Sequence, residues 1–78
     1  MEFEKIRKII AEVLSFDVEE ITMDTTFVDD LGADSLDVYQ IITEIEDEFG
    51  IGEISADELE NIVTVSDAVE AVKKRVDD

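Results

Sequence analysis

The chain has 78 residues, room for one small core, and 45% of them are hydrophobic. Six Lys and Arg stand against 23 Asp and Glu, with no His and no Cys, for a formal net charge of −17. These counts exclude a disulfide staple, cysteine-ligated zinc, a thiolate nucleophile and a histidine general base. They also disfavour nucleic acid and anionic membrane surfaces, whose phosphates require clustered Lys and Arg.

Phe3, Ile6, Ile10, Val13 and Leu14 keep helical spacing and predict a first helix over 2–14. Ser15-Phe16-Asp17 is a weak stop. No period is sustained from there to Asp34, which predicts a long ordered loop pinned by Val18, Ile21, Phe27, Val28 and Leu31. Val38, Ile41, Ile42, Ile45 and Phe49 trace the apolar stripe of a second helix, closed by Gly50. Asp34 and Ser35 are both suitable N-caps, and Asp37 adds negative charge to the first turn.

Ser55 and Glu58 have capping-box spacing and open a short third helix. Thr64 and Asp67 make a weaker box before a final helix, whose buried face is Val65, Ala68, Val69, Val72 and Val76. Lys73, Lys74 and Arg75 fall in its last turn, where cations favour the helix dipole. No stretch sustains strand alternation. The expected fold is therefore all-α: a small four-helix bundle of three longer helices and one short one, forming a single domain over 1–78. Ten Ile and nine Val outnumber four Leu, so the core is aliphatic. It is either an ordinary packed interior or one deformable enough to admit a chain between helices, and composition leaves both open.

All six bases lie near the ends, at Lys5, Arg7, Lys8, Lys73, Lys74 and Arg75, while nineteen acids and no base lie between Ile9 and Val72. Any single acid reads as a solvated side chain. The whole run reads as a surface awaiting a basic partner, because uncompensated like charge destabilises the compact state. Apolar runs such as Ile9-Ile10-Ala11 are too short to span a bilayer. Met1-Glu2-Phe3-Glu4 lacks the marks of a signal peptide, so a monomer in the cytoplasm is expected.

Ser35 stands where the long loop meets the most acidic helix. It is suited to capping and unsuited to self-activated nucleophilic attack, since no His or nearby Lys serves as base. A third role is that Ser35 is acted upon, because a helix N-terminus favours an attached phosphate.

The run Leu31-Gly32-Ala33-Asp34-Ser35-Leu36-Asp37, preceded by Phe27-Val28-Asp29-Asp30 and followed by Glu46-Asp47-Glu48-Phe49, resembles the prosthetic-group motif of acyl carrier proteins. The likeness is to the free-standing carrier of bacterial dissociated fatty-acid synthesis and covers nearly the whole chain. It implies that Ser35 carries covalent 4′-phosphopantetheine, donated from coenzyme A by a holo-acyl-carrier-protein synthase, with Asp34 and Leu36 beside it. The acyl chain is then a thioester on the cofactor's thiol, so a chain without Cys still carries a reactive sulfur, and the protein is a carrier rather than an enzyme.

The resemblance further implies docking to basic patches on fatty-acid synthesis enzymes through Asp34, Asp37, Glu44, Glu46, Asp47 and Glu48, with Ile54, Asp57 and Glu60 contributing near the third helix. The sequence departs from the family's pattern at Gln40, where an acid is common, and at Ser55, where Pro is common. It also carries one extra residue at Gly52. Peptidyl, polyketide and D-alanyl carriers are the alternatives within the class. An acidic calcium-binding module is the alternative outside it, but neither Asp24-Thr25-Thr26 nor Asp29-Asp30-Leu31-Gly32 supplies the required loop, and no metal site is expected. A nucleic-acid mimic would have no use for Ser35.

Overall fold

Three apolar stripes, each too narrow to be buried alone, meet in one aliphatic core. The computed structural model describes residues 2–76. Helix α1 spans Glu2–Leu14, α2 Ser35–Phe49, α3 Ala56–Glu60 and α4 Val65–Val76, with a 3₁₀ turn at Val18–Glu20. No strand forms among the described residues, only an isolated bridge between Thr26 and Thr64, so the all-α reading holds.

Ile6, Ile10 and Ala11 of α1 meet Ile41, Ile42 and Ile45 of α2 and Val65, Ala68, Val69, Ala71 and Val72 of α4. Helix α1 packs against both α2 and α4. The Lys5 ammonium lies 5.6 Å from the centre of the Phe49 ring, so α1 starts where α2 ends and the two run antiparallel. Val76, expected in the buried face, is exposed instead: it lies past Val72, the last buried residue of α4.

The long loop is ordered by both side chains and backbone. Ile21, Phe27 and Leu31 are buried as expected, together with Ala33. Val18 and Val28, expected to pin it, point to solvent. Backbone bonds make up the difference: Phe27 N–H donates to Val63 O (3.0 Å), Val65 N–H to Thr25 O (2.9 Å) and Ser66 N–H to Met23 O (3.0 Å). These bonds sew the loop to the start of α4 and satisfy groups that would otherwise be buried unpaired. The Arg7 guanidinium, donating to Val18 O, ties the 3₁₀ turn back to α1.

Capping follows the sequence with one exception. Asp67 Oδ2 accepts from Thr64 N–H (3.1 Å) and Val63 N–H (3.0 Å), and Thr64 Oγ1 accepts from Asp67 N–H (3.2 Å), closing the box before α4. Ser55 Oγ accepts from Glu58 N–H (3.3 Å), but the return half of that box is absent. The Glu58 carboxylate is taken by Arg75, whose Nη2 lies 2.6 Å from Oε1. A charged donor from a facing helix outcompetes a neutral N–H.

Candidate functional site

The segment leading to Ser35 is fixed residue by residue. Thr26 N–H donates to Asp30 Oδ2 (2.9 Å) and Asp30 N–H returns to Thr26 Oγ1 (3.0 Å), closing a turn over buried Phe27. Ala33 N–H then donates to Phe27 O (2.9 Å). Between them Gly32 adopts φ 67°, a left-handed conformation that a side chain strains, so this glycine is required by the backbone. The chain thus arrives at α2 in one orientation.

Of the two suitable caps, Asp34 is the one used. Its Oδ1 accepts from Asp37 N–H (2.9 Å), and Asp37 Oδ2 accepts from Asp34 N–H (3.3 Å). Ser35 becomes the first helical residue, solvent-exposed, with its hydroxyl outside the capping bonds. The capping reading of Ser35 is therefore set aside, and the hydroxyl is left for other chemistry. At the positive end of a fifteen-residue helix it suits a phosphodiester, although Asp34 and Asp37 already offset part of that field.

Beside Ser35 opens a cleft of about 400 Å³ between α2 and α3, lined by Val28, Val38, Tyr39, Ala56, Leu59, Glu60 and Ile62 as well as Ser35 itself. Only Ser35, Glu60 and the Tyr39 phenol bring polar atoms to it; the rest of the lining is apolar. Leu36 is 76% exposed and Val28 63% exposed, so the hydroxyl sits among apolar side chains that the fold itself leaves uncovered.

The structure sorts the sequence-predicted residues. Asp34, Leu36 and Asp37 surround Ser35, and Glu60 lines its cleft. Glu44, Asp47 and Glu48 are exposed along α2, and Asp57 is exposed on α3. Glu46 is half-buried and already engaged, its Oε2 accepting Ile54 N–H at 2.7 Å, so it ties down the loop into α3 as well as carrying charge. Ile54 requires correction. At 3% exposure it is a core residue, and its side chain has no surface to offer a partner. Sequence reasoning missed the cleft. Tyr39 and Ile42 follow Ser35 at helical spacing and share its face of α2, a signal that was present, but the opposing wall of Leu59 and Ile62 is brought there only by folding. Among the described residues no group of three or more acids is placed to hold a metal ion.

Comparison with known proteins agrees with this geometry. Residues 4–72 match the family described as the phosphopantetheine attachment site. A candidate acyl carrier protein from Mycobacterium tuberculosis superposes with a TM-score of 0.87 at 43% identity, covering 95% of this chain and 97% of that one. The acyl carrier protein from Enterococcus faecalis superposes at 0.78 with 36% identity, covering 95% and 92%. The apo doublet acyl carrier protein from prodigiosin biosynthesis, 20% identical, shares the fold at 0.82 over 95% of this chain and 35% of its own. With its helical bundle and its family's covalently attached 4′-phosphopantetheine, the chain belongs to the acyl carrier proteins.

Proposed function

We propose that Ser35 Oγ is the attachment atom and that the chain ferries fatty acyl groups between the enzymes of a dissociated fatty-acid synthesis system. The observation that carries this reading is an exposed serine hydroxyl, outside the capping bonds, opening directly onto an apolar cleft of about 400 Å³. An aliphatic cargo suits that lining. A peptidyl cargo, with polar amides to satisfy, suits it less well.

In loading, Ser35 Oγ forms the new bond to phosphorus, the pyrophosphate bond of coenzyme A breaks, and the adenosine bisphosphate leaves. The hydroxyl proton goes to a base on the holo-acyl-carrier-protein synthase, because the nearest carboxylates, Asp34 and Asp37, are committed to the cap. Once attached, the group supplies a flexible arm and a thiol for the thioester. The protein's own part is to hold the attachment point rigid, shelter the chain, and present Glu44, Asp47 and Glu48 to basic partners. Complementary charge speeds such encounters without demanding tight binding, which suits a shuttle. No described helix is long and apolar enough to cross a membrane. We take 1–78 to be one carrier domain, within which residues 4–72 match the family, and take it to act as a monomer in the cytoplasm.

Intact-mass measurement after incubation with coenzyme A, Mg²⁺ and a holo-synthase tests the assignment. The expected gain is about 340 Da for the native chain and none for Ser35→Ala. A gain that survives in Ser35→Ala would overturn it. Asp34→Ser keeps a capping side chain while removing the charge. Slower loading at unchanged thermal stability assigns Asp34 a contact with the modifying enzyme.

A further inference from the structure

Two clefts lie one after the other along the seam between α2 and α3. The first, at Ser35, holds about 400 Å³ and is described above. The second holds about 240 Å³ and is lined by Tyr39, Ile42, Glu46, Glu53, Ile54, Ala56 and Leu59. Tyr39, Ala56 and Leu59 line both. They come from opposite walls, Tyr39 from α2 and the other two from α3, so together they form the boundary between the chambers.

We propose that Tyr39, closing against Leu59, is the partition that sets how long an acyl chain the protein shelters. The inference rests on Ser35 carrying the acyl arm. A chain entering beside Ser35 fills the first chamber, along Val38 and Ile62, and meets the Tyr39 ring. Short chains stop there. Longer ones advance only by displacing the ring, after which they run over Ile42 and Ile54, both buried in the closed form. The second chamber has two carboxylates in its lining that the first lacks: Glu46, bonded to Ile54 N–H, and Glu53. A methyl terminus gains nothing against them, because desolvating a charged group offsets further apolar burial.

Two properties let the partition move. Tyr39 is 59% exposed, so its ring is not locked by the core. Helix α3 contributes no fully buried side chain, and the wall it forms is held by the Ser55 cap and the Glu58–Arg75 ion pair rather than by deep packing.

The test uses the full chain loaded with saturated acyl groups from butyryl to docosanoyl, a series long enough to outrun the first 400 Å³ and enter the next 240 Å³, with loading confirmed by intact mass. Each methylene taken fully into a cleft raises the melting temperature by at most about 3 to 6 °C. In the native chain the rise is expected to level off once the first chamber is full. Tyr39→Ala and Leu59→Ala are each expected to move the levelling point to longer chains, since the second chamber offers 240 Å³ beyond the first 400 Å³. Tyr39→Phe is expected to restore the native profile.

Tyr39 is the sole tyrosine and the chain has no Trp, so intrinsic fluorescence reports on this ring alone. Its quenching by acrylamide should change abruptly at the chain length where levelling begins. Coincident profiles for the native chain and both alanine variants, at full loading, would overturn the partition and leave the carrier reading intact. A chain that gains no mass overturns the carrier reading and the partition with it.

Discussion

At Ser15 φ is 61° and at Gly50 it is 63°, and both residues end a helix in the same way. Phe16 N–H reaches back to Ala11 O (3.0 Å) after α1, as Ile51 N–H does to Glu46 O (3.2 Å) after α2. Glycine adopts that conformation without steric penalty, whereas serine does not. Ser15→Gly is therefore expected to stabilise the fold by about 0.5 to 1 kcal/mol, read as a higher urea midpoint; a lower midpoint contradicts the strain. Asp67 provides a second test at this scale. Its carboxyl is held below the ordinary aspartate value of 3.8, first by the Val63 N–H, then by the Thr64 N–H. A depressed folded pKa means its contribution is complete above 3.8 and is lost as pH falls from there through the lower folded value. The stability difference between the native chain and Asp67→Ala, about 1 kcal/mol at neutral pH, should shrink toward zero across that window. A difference constant with pH would show that the carboxylate's charge is irrelevant.

Helix α3 is the element whose stability is separable from the rest. It is five residues long, and its ties are specific: the Ser55 cap, the Ile54 N–H to Glu46 bond just before it, and the Glu58–Arg75 ion pair. The Glu58 carboxyl is lowered from its ordinary range chiefly by the hydrogen bond from Arg75. Because the pair is partly exposed, its removal should loosen one element rather than unfold the molecule. Glu58→Gln is expected to speed amide hydrogen exchange across residues 55–62 while α1 and α2 exchange as before. Uniform acceleration throughout the chain would show that α3 unfolds only with the whole.

For the molecule as a whole, charge is the dominant fact. Of the nineteen acids between Ile9 and Val72, Glu58 alone pairs with a base among the described residues. Lys5 sits over Phe49, and Arg75 feels both Glu58 and Glu46, so these bases gather where α2 ends. Ser35 lies at the other end of α2, about 20 Å away along the helix. The Ser35 end, with Asp34 and Asp37 in its cap, is left negative. Salt should then act in two directions. Screening of self-repulsion, with a Debye length near 10 Å at 0.1 M, is expected to raise the melting temperature of the isolated chain. The same screening is expected to slow acyl transfer to a basic partner enzyme. Stopped-flow transfer rates unaffected by salt would remove the steering role from the acidic face.

The three long helices were legible because helix formation is local: period and caps act within a few residues, as does Gly50 in stopping α2, whereas the stop of α1 at Ser15 was only weakly marked. The family was legible too, because the motif around Ser35 is contiguous. The loop was only half legible. Its buried Ile21, Phe27 and Leu31 could be read from hydropathy, but not the backbone bonds to Val63, Val65 and Ser66, since a backbone partner leaves no mark in side-chain type. Folding alone decided that Ile54 is core, that Glu46 and Glu58 are committed to partners distant in sequence, and that α3 faces Tyr39 across a cleft. Each of those depends on which surfaces of separate helices meet, and that is settled by burying all the apolar stripes at once.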